Sequence, residues 1–360
     1  MTHRNFSQVE YFRQLAAAHR PRLAFDRAGL DFTAWRTALL AELHTLLGPT
    51  PASAALNPEI VWEIEEDGLI KRRVLLDFEP GMSAAALVYI PRAALASPAP
   101  AILCSHGHGA YGKDSVMGVA SLNDPARQQE IRRLNYDYGL QMARRGFVTI
   151  AIDYRGFGER GDPATPHGAS SYDVPYPGRD KCNVHFIRGS MLGFNLLALD
   201  IFDARRTLDY LTSLECVDAA RIGAMGLSFG GVMTTWTALL DERIRAAAIL
   251  AYSTTFQTMI ATGNICGSQY LPGLYALCDL ADLQGAIAPR PLLASFGTID
   301  SCFAIDDALA CGRRVRAIYA AAGAAERYVE EIHEGDHVFS GRKPFEFFDR
   351  HLGPAAPAPV

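Results

Sequence analysis

The chain has no cysteine pair at C-x-x-C spacing and no even cysteine set. Its 7 cysteines, at 104, 182, 216, 266, 278, 302 and 311, are scattered. That excludes a disulfide framework and suits reduced thiols in a cytoplasmic protein. It also lacks a basic block, and its net charge is −5. Nucleic acid and anionic membrane are therefore excluded as partners. No apolar run reaches the length of a membrane span. The first residues, Met1 to Gln8, contain no apolar stretch, which predicts no secretory leader. No internal repeat is visible. What is present is apolar mass. Hydrophobic residues make up 49% of the 360 positions and charged ones 20%, enough for one large α/β domain or two smaller ones.

Taken in order, residues 1–60 read as a helical extension. Phe32, Trp35, Leu39, Leu43, Leu46 and Leu47 recur at helical spacing, and Gly48-Pro49 ends the run. Trp62 to Pro91 reads as strands, with Asp67-Gly68 as a hairpin turn. Ala101 to Cys104 is a short, wholly apolar strand of the buried parallel kind. A helix is expected over Gln128–Arg145, a strand over Phe147–Ile152 and a long helix over Ile187–Leu211. Further buried strands follow over Ile222–Leu227, Ile244–Leu250, Pro291–Phe296 and Tyr328–Ile332. Helices are expected after Ser228, over Ala304–Ala321 and over Pro344–Leu352. Insertions are expected near 155–185 and 254–289, and 353–360 as a disordered Pro/Ala tail. This alternation predicts an α/β fold: a mostly parallel sheet with helices on both faces and an antiparallel N-terminal edge.

The chemistry starts at Gly226-Leu227-Ser228-Phe229-Gly230. An apolar run precedes it and a helical segment follows, so this G-x-S-x-G stands in the strand, sharp turn and helix context of a nucleophile elbow. A serine hydroxyl needs a base, and the base needs an orienting carboxylate. Asp300 lies at the end of the second strand after the elbow, and His337 lies in a Gly-containing loop after the last strand. His333 belongs to that strand and is the weaker base. Asp306 and Asp307 read as a helix's first turn, and Asp279 and Asp282 have no strand end. The expected catalytic set is Ser228, Asp300 and His337. The backbone N–H groups of His108, in Ser105-His106-Gly107-His108-Gly109, and of Phe229 are the expected oxyanion donors.

Other signals read as structural. His106-x-His108 lacks a third ligand at metal spacing, so no metal is expected. Gly156-Phe157-Gly158-Glu159-Arg160-Gly161 matches G-x-G-x-x-G, but prolines follow where a dinucleotide site needs a helix, so no cofactor is expected. Asp153 and Arg155 are expected to pin that loop as an ion pair, and Lys113 and Asp114 to be loop charges.

The ordered pieces Ser105 to Gly109, Asp153-Tyr154-Arg155-Gly156-Phe157-Gly158 and Gly226 to Gly231 resemble the α/β-hydrolase superfamily. So do Ile287-Ala288-Pro289-Arg290-Pro291, Gly297-Thr298-Ile299-Asp300 and Gly335-Asp336-His337. The likeness is strongest to the dienelactone hydrolase and acetyl xylan esterase branch, with the hydrolase domain over 61–352. It implies the same triad and a serine esterase acting on a small-molecule ester, with small acyl groups favoured. Phe229 stands where acetyl xylan esterases often carry Gln, and dienelactone hydrolases proper use a cysteine, so the resemblance carries no particular substrate. A peptidase or acyl-transferring hydrolase would use the same triad. A binding protein of this fold without catalysis is the rival from another class, and the complete triad argues against it.

Overall fold

The computed structural model describes residues 4–109, 111–119, 124–161 and 179–353. The expected tail at 353–360 lies outside these beyond its first residue, as does the middle of the expected insertion near 155–185. Nine strands among the described residues form one sheet in the order β1-β2-β3-β5-β4-β6-β7-β8-β9. They are β1 (Glu59–Glu66), β2 (Leu69–Glu79), β3 (Met82–Pro91), β4 (Ala99–Ser105), β5 (Val148–Ile152), β6 (Val217–Leu227), β7 (Ile244–Leu250), β8 (Leu292–Gly297) and β9 (Tyr328–His333). From β5 across to β9 every pairing is parallel, while β1, β2 and β3 pair antiparallel and join β5 antiparallel.

The antiparallel edge follows from the turn signal. Asp67 takes φ 53° and Gly68 φ 73°, the left-handed pair that a tight hairpin needs. β1 is exposed along its length and carries Glu59, Glu63, Glu65 and Glu66, charges that blunt an open sheet edge. The central strands β5 and β8 are buried end to end, and β7 is buried apart from Arg245, as their apolar runs require.

Helices cover both faces and split the core in two. They are α1 (Gln8–Ala18), α2 (Phe32–Leu47), α3 (Lys113–Val116), α4 (Pro125–Leu134), α5 (Tyr138–Arg144), α6 (Arg179–Met191), α7 (Leu196–Ser213), α8 (Phe229–Leu240), α9 (Phe256–Thr262), α10 (Leu274–Leu277), α11 (Leu280–Gly285), α12 (Ile305–Ala321) and α13 (Lys343–Leu352). α8 is buried from Phe229 through Leu239. Two of its three threonines pair their hydroxyls within the helix, while the Thr237 hydroxyl has no partner among the described residues. Thr234 and Thr235 donate to the carbonyls of Gly230 and Gly231, both at 2.8 Å.

Two expected helices are broken. The one over 128–145 divides because Asn135 turns left-handed at φ 50° and caps α4. The break lets Tyr136 and Tyr138 reach under the strand ends, as the site shows below. The one over 187–211 divides at Gly193, φ 81°, and restarts where the Asn195 side chain accepts the Leu197 N–H.

The expected insertion at 254–289 contains α9, α10 and α11. The N-terminal extension packs on it. Leu23 N–H donates to the Leu277 carbonyl at 2.8 Å, Arg13 Nε to the Ala261 carbonyl at 3.2 Å, and Trp35 is fully buried.

Candidate active site

The parallel strands β6, β7, β8 and β9 end at one edge, and the expected site residues stand there. Ser228 follows β6 directly, at φ 62° and ψ −118°. A non-glycine residue rarely takes this conformation, and it costs about 1–3 kcal/mol. Tight packing enforces it. The Ser228 N–H is tied to the Leu250 carbonyl at 2.9 Å. A Cβ on Gly230 would overlap the Ser105 carbonyl, and one on Gly226 would lie 2.7 Å from the Gly230 Cα. Both glycines are therefore fixed by space, and the serine is pushed out of the β6–α8 turn.

Asp300 and His337 meet. His337 Nδ1 lies 2.9 Å from Asp300 Oδ2 and 3.1 Å from Oδ1. Asp300 Oδ1 also accepts the backbone N–H groups of Cys302 at 2.7 Å and Phe303 at 2.9 Å, which fix the carboxylate. The Asp300 side chain is 1% exposed and that of His337 14%, so the carboxylate is hidden and the imidazole partly open. Asp336 braces the two loops. Its Oδ1 accepts the Ser301 N–H at 2.8 Å and the His337 N–H at 2.7 Å, and these bonds hold its pKa below the ordinary value. His333 ends β9, is buried, and passes its carbonyl to the Thr298 N–H.

The Ser228 hydroxyl has no hydrogen bond among the described residues. The structure thus joins Asp300 to His337 directly, while Ser228 stands at the end of β6 without a bond to the imidazole.

The loop after β4 supplies the facing wall. A Cβ on Gly107 would sit 3.3 Å from the Ser228 Cβ, so this loop runs beside the serine. Among the described residues no acceptor takes the N–H of His108 or of Phe229. Their rings lie 5.1 Å apart, and Phe157 packs against both, at 5.5 Å from His108 and 5.2 Å from Phe229. His106 is held differently. Burial lowers its pKa and keeps it neutral, and its Nε2 accepts the Tyr154 N–H at 3.0 Å while its Nδ1 meets the Gly107 carbonyl at 2.7 Å.

Several supports are not evident in the sequence. Tyr136 Oη accepts the Gly107 N–H at 2.5 Å, and Tyr138 donates its hydroxyl proton to the Ser105 carbonyl. Both tyrosines come from the break between α4 and α5. Lys113 is not a loop charge. Its side chain is 1% exposed and its Nζ lies 2.7 Å from Asp153 and 2.7 Å from Glu159. Burial pulls its pKa down, but the carboxylates of Asp153, Glu159 and Asp114 together outweigh that and leave it raised. Arg155 pins its loop through Asp203 at 2.7 Å and Glu79 at 2.6 Å, not through Asp153. Nothing in local spacing pairs residues so far apart. A cavity of about 370 Å³ lies between α9 and the acid loop, lined by Thr258, Met259, Asn264, Asp300, Cys302 and Phe303 among others.

With the geometry in place, known proteins give the family. A profile of the Abhydrolase family matches residues 2–334. The chain belongs to this α/β-hydrolase family. Among curated relatives of this hydrolase is "Putative hydrolase YtaP" of Bacillus subtilis (strain 168), 28% identical over 295 residues, covering 80% of this chain and 89% of the relative. Among solved structures, a Bacteroides fragilis NCTC 9343 protein named a "putative acetyl xylan esterase" superposes with TM-score 0.70 at 20% identity, over 92% of this chain and 83% of that one. A glucuronoyl esterase from Solibacter usitatus superposes with TM-score 0.64 at 17% identity, over 93% and 98%. These likenesses show the α/β-hydrolase fold. No helix among the described residues is long and apolar enough to cross a membrane.

Proposed function

We propose that this hydrolase cleaves carboxylic esters with a small acyl group, through an acyl-enzyme on Ser228. The observation that carries the reading is the Asp300–His337 hydrogen bond at the same sheet edge as the strained elbow serine. Asp300 engages Nδ1, so Nε2 is the nitrogen that takes the Ser228 proton. Ser228 Oγ then attacks the ester carbonyl carbon. The N–H groups of His108 and Phe229, the latter at the N-terminus of α8, receive the oxyanion. His337 returns the proton to the leaving alcohol, and a water activated by the same imidazole releases the acid. No step calls on a cofactor. The aromatic wall of His108, Phe157 and Phe229 supports a small acyl group. The esterase neighbours make acetylated sugars and uronate esters the first substrates to try. Seven cysteines, with no disulfide among the described residues, support a reducing, cytoplasmic setting.

The test is burst and turnover with a short-chain p-nitrophenyl ester and an acetylated xylo-oligosaccharide, for the unmodified chain and Ser228→Ala. A burst that vanishes, with turnover falling by about 10⁴-fold or more and the fold intact, is expected. Equal rates in the two proteins, or turnover of peptides in place of esters, would overturn it.

A further inference from the structure

We propose that His108, Cys182 and Cys266 form a zinc site that ties the loop after β4 to α6 and to the 254–289 segment. The sequence offers His106 and His108 as a pair without a third ligand. The structure uses both His106 nitrogens elsewhere but gives His108 two sulfur neighbours from distant segments. His108 Nε2 lies 3.1 Å from Cys266 Sγ, and the three potential ligand atoms all lie within 4.8 Å of one another. Zinc bonds of about 2.3 Å to sulfur and 2.0 Å to nitrogen set neighbouring ligands roughly 3.5–3.8 Å apart, within reach of small side-chain rotations.

The donor set fits the ion. Two thiolates and an imidazole are the soft and borderline ligands zinc selects, and they leave a fourth position open. Two thiolates also cancel the charge of the ion, which matters because Cys182 is fully buried and Cys266 is 5% exposed. The surroundings hold the ligands in place. Ser268 Oγ lies 3.1 Å from Cys266 Sγ, and the Gln269 side chain accepts the Cys266 N–H at 3.1 Å. Asn183, next to Cys182, accepts the Gly267 N–H at 3.0 Å. Gly267 is itself a requirement of the clamp, since a Cβ there would sit 3.0 Å from the Cys182 carbonyl oxygen and overlap Phe186. The His108 ring packs against both Phe157 and Phe229, which stack on each other. A second cluster, Asp300, Cys302 and His337, already has its carboxylate committed to two backbone N–H groups and the imidazole, and Cys302 is exposed.

The experiment titrates the full chain, reduced with a phosphine, with zinc in competition with a chromophoric chelator, and repeats it with cobalt(II). One tight equivalent is expected. His108→Ala, Cys182→Ser and Cys266→Ser should each weaken it by more than about 100-fold, because even changes behind a ligand cost 10–100-fold. Cys302→Ser should leave it unchanged. The cobalt complex of the unmodified chain should show thiolate charge-transfer bands and intense tetrahedral d–d bands, a readout that stands even if a variant fails to fold. Absence of tight binding, a cobalt spectrum without thiolate bands, binding that survives Cys182→Ser and Cys266→Ser, or binding abolished by Cys302→Ser would each overturn the site.

Discussion

Ser228 holds its φ of 62° because Gly226 and Gly230, two residues to either side, leave room for a turn that any side chain there would block. Asp300 is equally constrained. It takes three hydrogen bonds, two from its own loop and one from His337, so its carboxylate can turn neither ring nor backbone loose. Asp300→Asn keeps the shape but presents an amide where the imidazole needs an acceptor, which favours the wrong tautomer. Turnover of the ester should fall by about 10⁴-fold with little change in melting temperature. A kcat within tenfold of the unmodified chain would remove Asp300 from the triad.

At the scale of elements, the site depends on how closely β4 and α8 approach. Gly230, in the first turn of α8, lies against the Ser105 carbonyl at the end of β4. The same carbonyl accepts from Tyr138 on α5, so it cannot retreat freely. Gly230→Ala should therefore cost at least about 3 kcal/mol, at the upper end of the penalty for overpacking. Urea denaturation checks this, and a loss below 1 kcal/mol would mean that α8 can slide along the sheet. Helix breaks matter at this scale too. The left-handed Asn135 interrupts a run that periodicity alone reads as continuous, and the interruption aims two tyrosines at the loop and strand that carry the site.

Across the whole molecule, a buried charge network joins β2, the loop after β5, and α7. Arg155 and Arg160 both bond Asp203, and Arg155 also reaches Glu79. Asp200 sits within this network fully buried; among the described residues its Oδ1 accepts only the Arg155 N–H and its Oδ2 has no partner. Burial, with Asp203 adding to it, raises its pKa from 3.8 to about 8. The folded chain therefore keeps a proton that the unfolded chain releases. Stability from this group is full below about pH 4 and is lost as pH rises through about 8. Asp200→Asn, which cannot ionise, should flatten that decline. Denaturant midpoints of both proteins at pH 5 and pH 8 measure it, and an identical drop in the two would mean that Asp200 folds ionised.

The sequence by itself determined the order of strands and helices, the hairpin at Asp67-Gly68, the elbow around Ser228 and the carboxylate and imidazole at two strand ends. These are local matters: hydrophobic period, turn chemistry and glycine spacing act over a few residues, and a strand end positions whatever follows it. Only the tertiary structure decided which distant groups meet. Lys113 reads as a loop charge until Asp153 and Glu159 surround it. His108 reads as half of a histidine pair until Cys182 and Cys266 arrive from segments far along the chain. Asp153 and Arg155, two residues apart, find different partners because each points to a different layer. Chain folding sets such encounters through the packing of whole elements, and no spacing in the sequence encodes them.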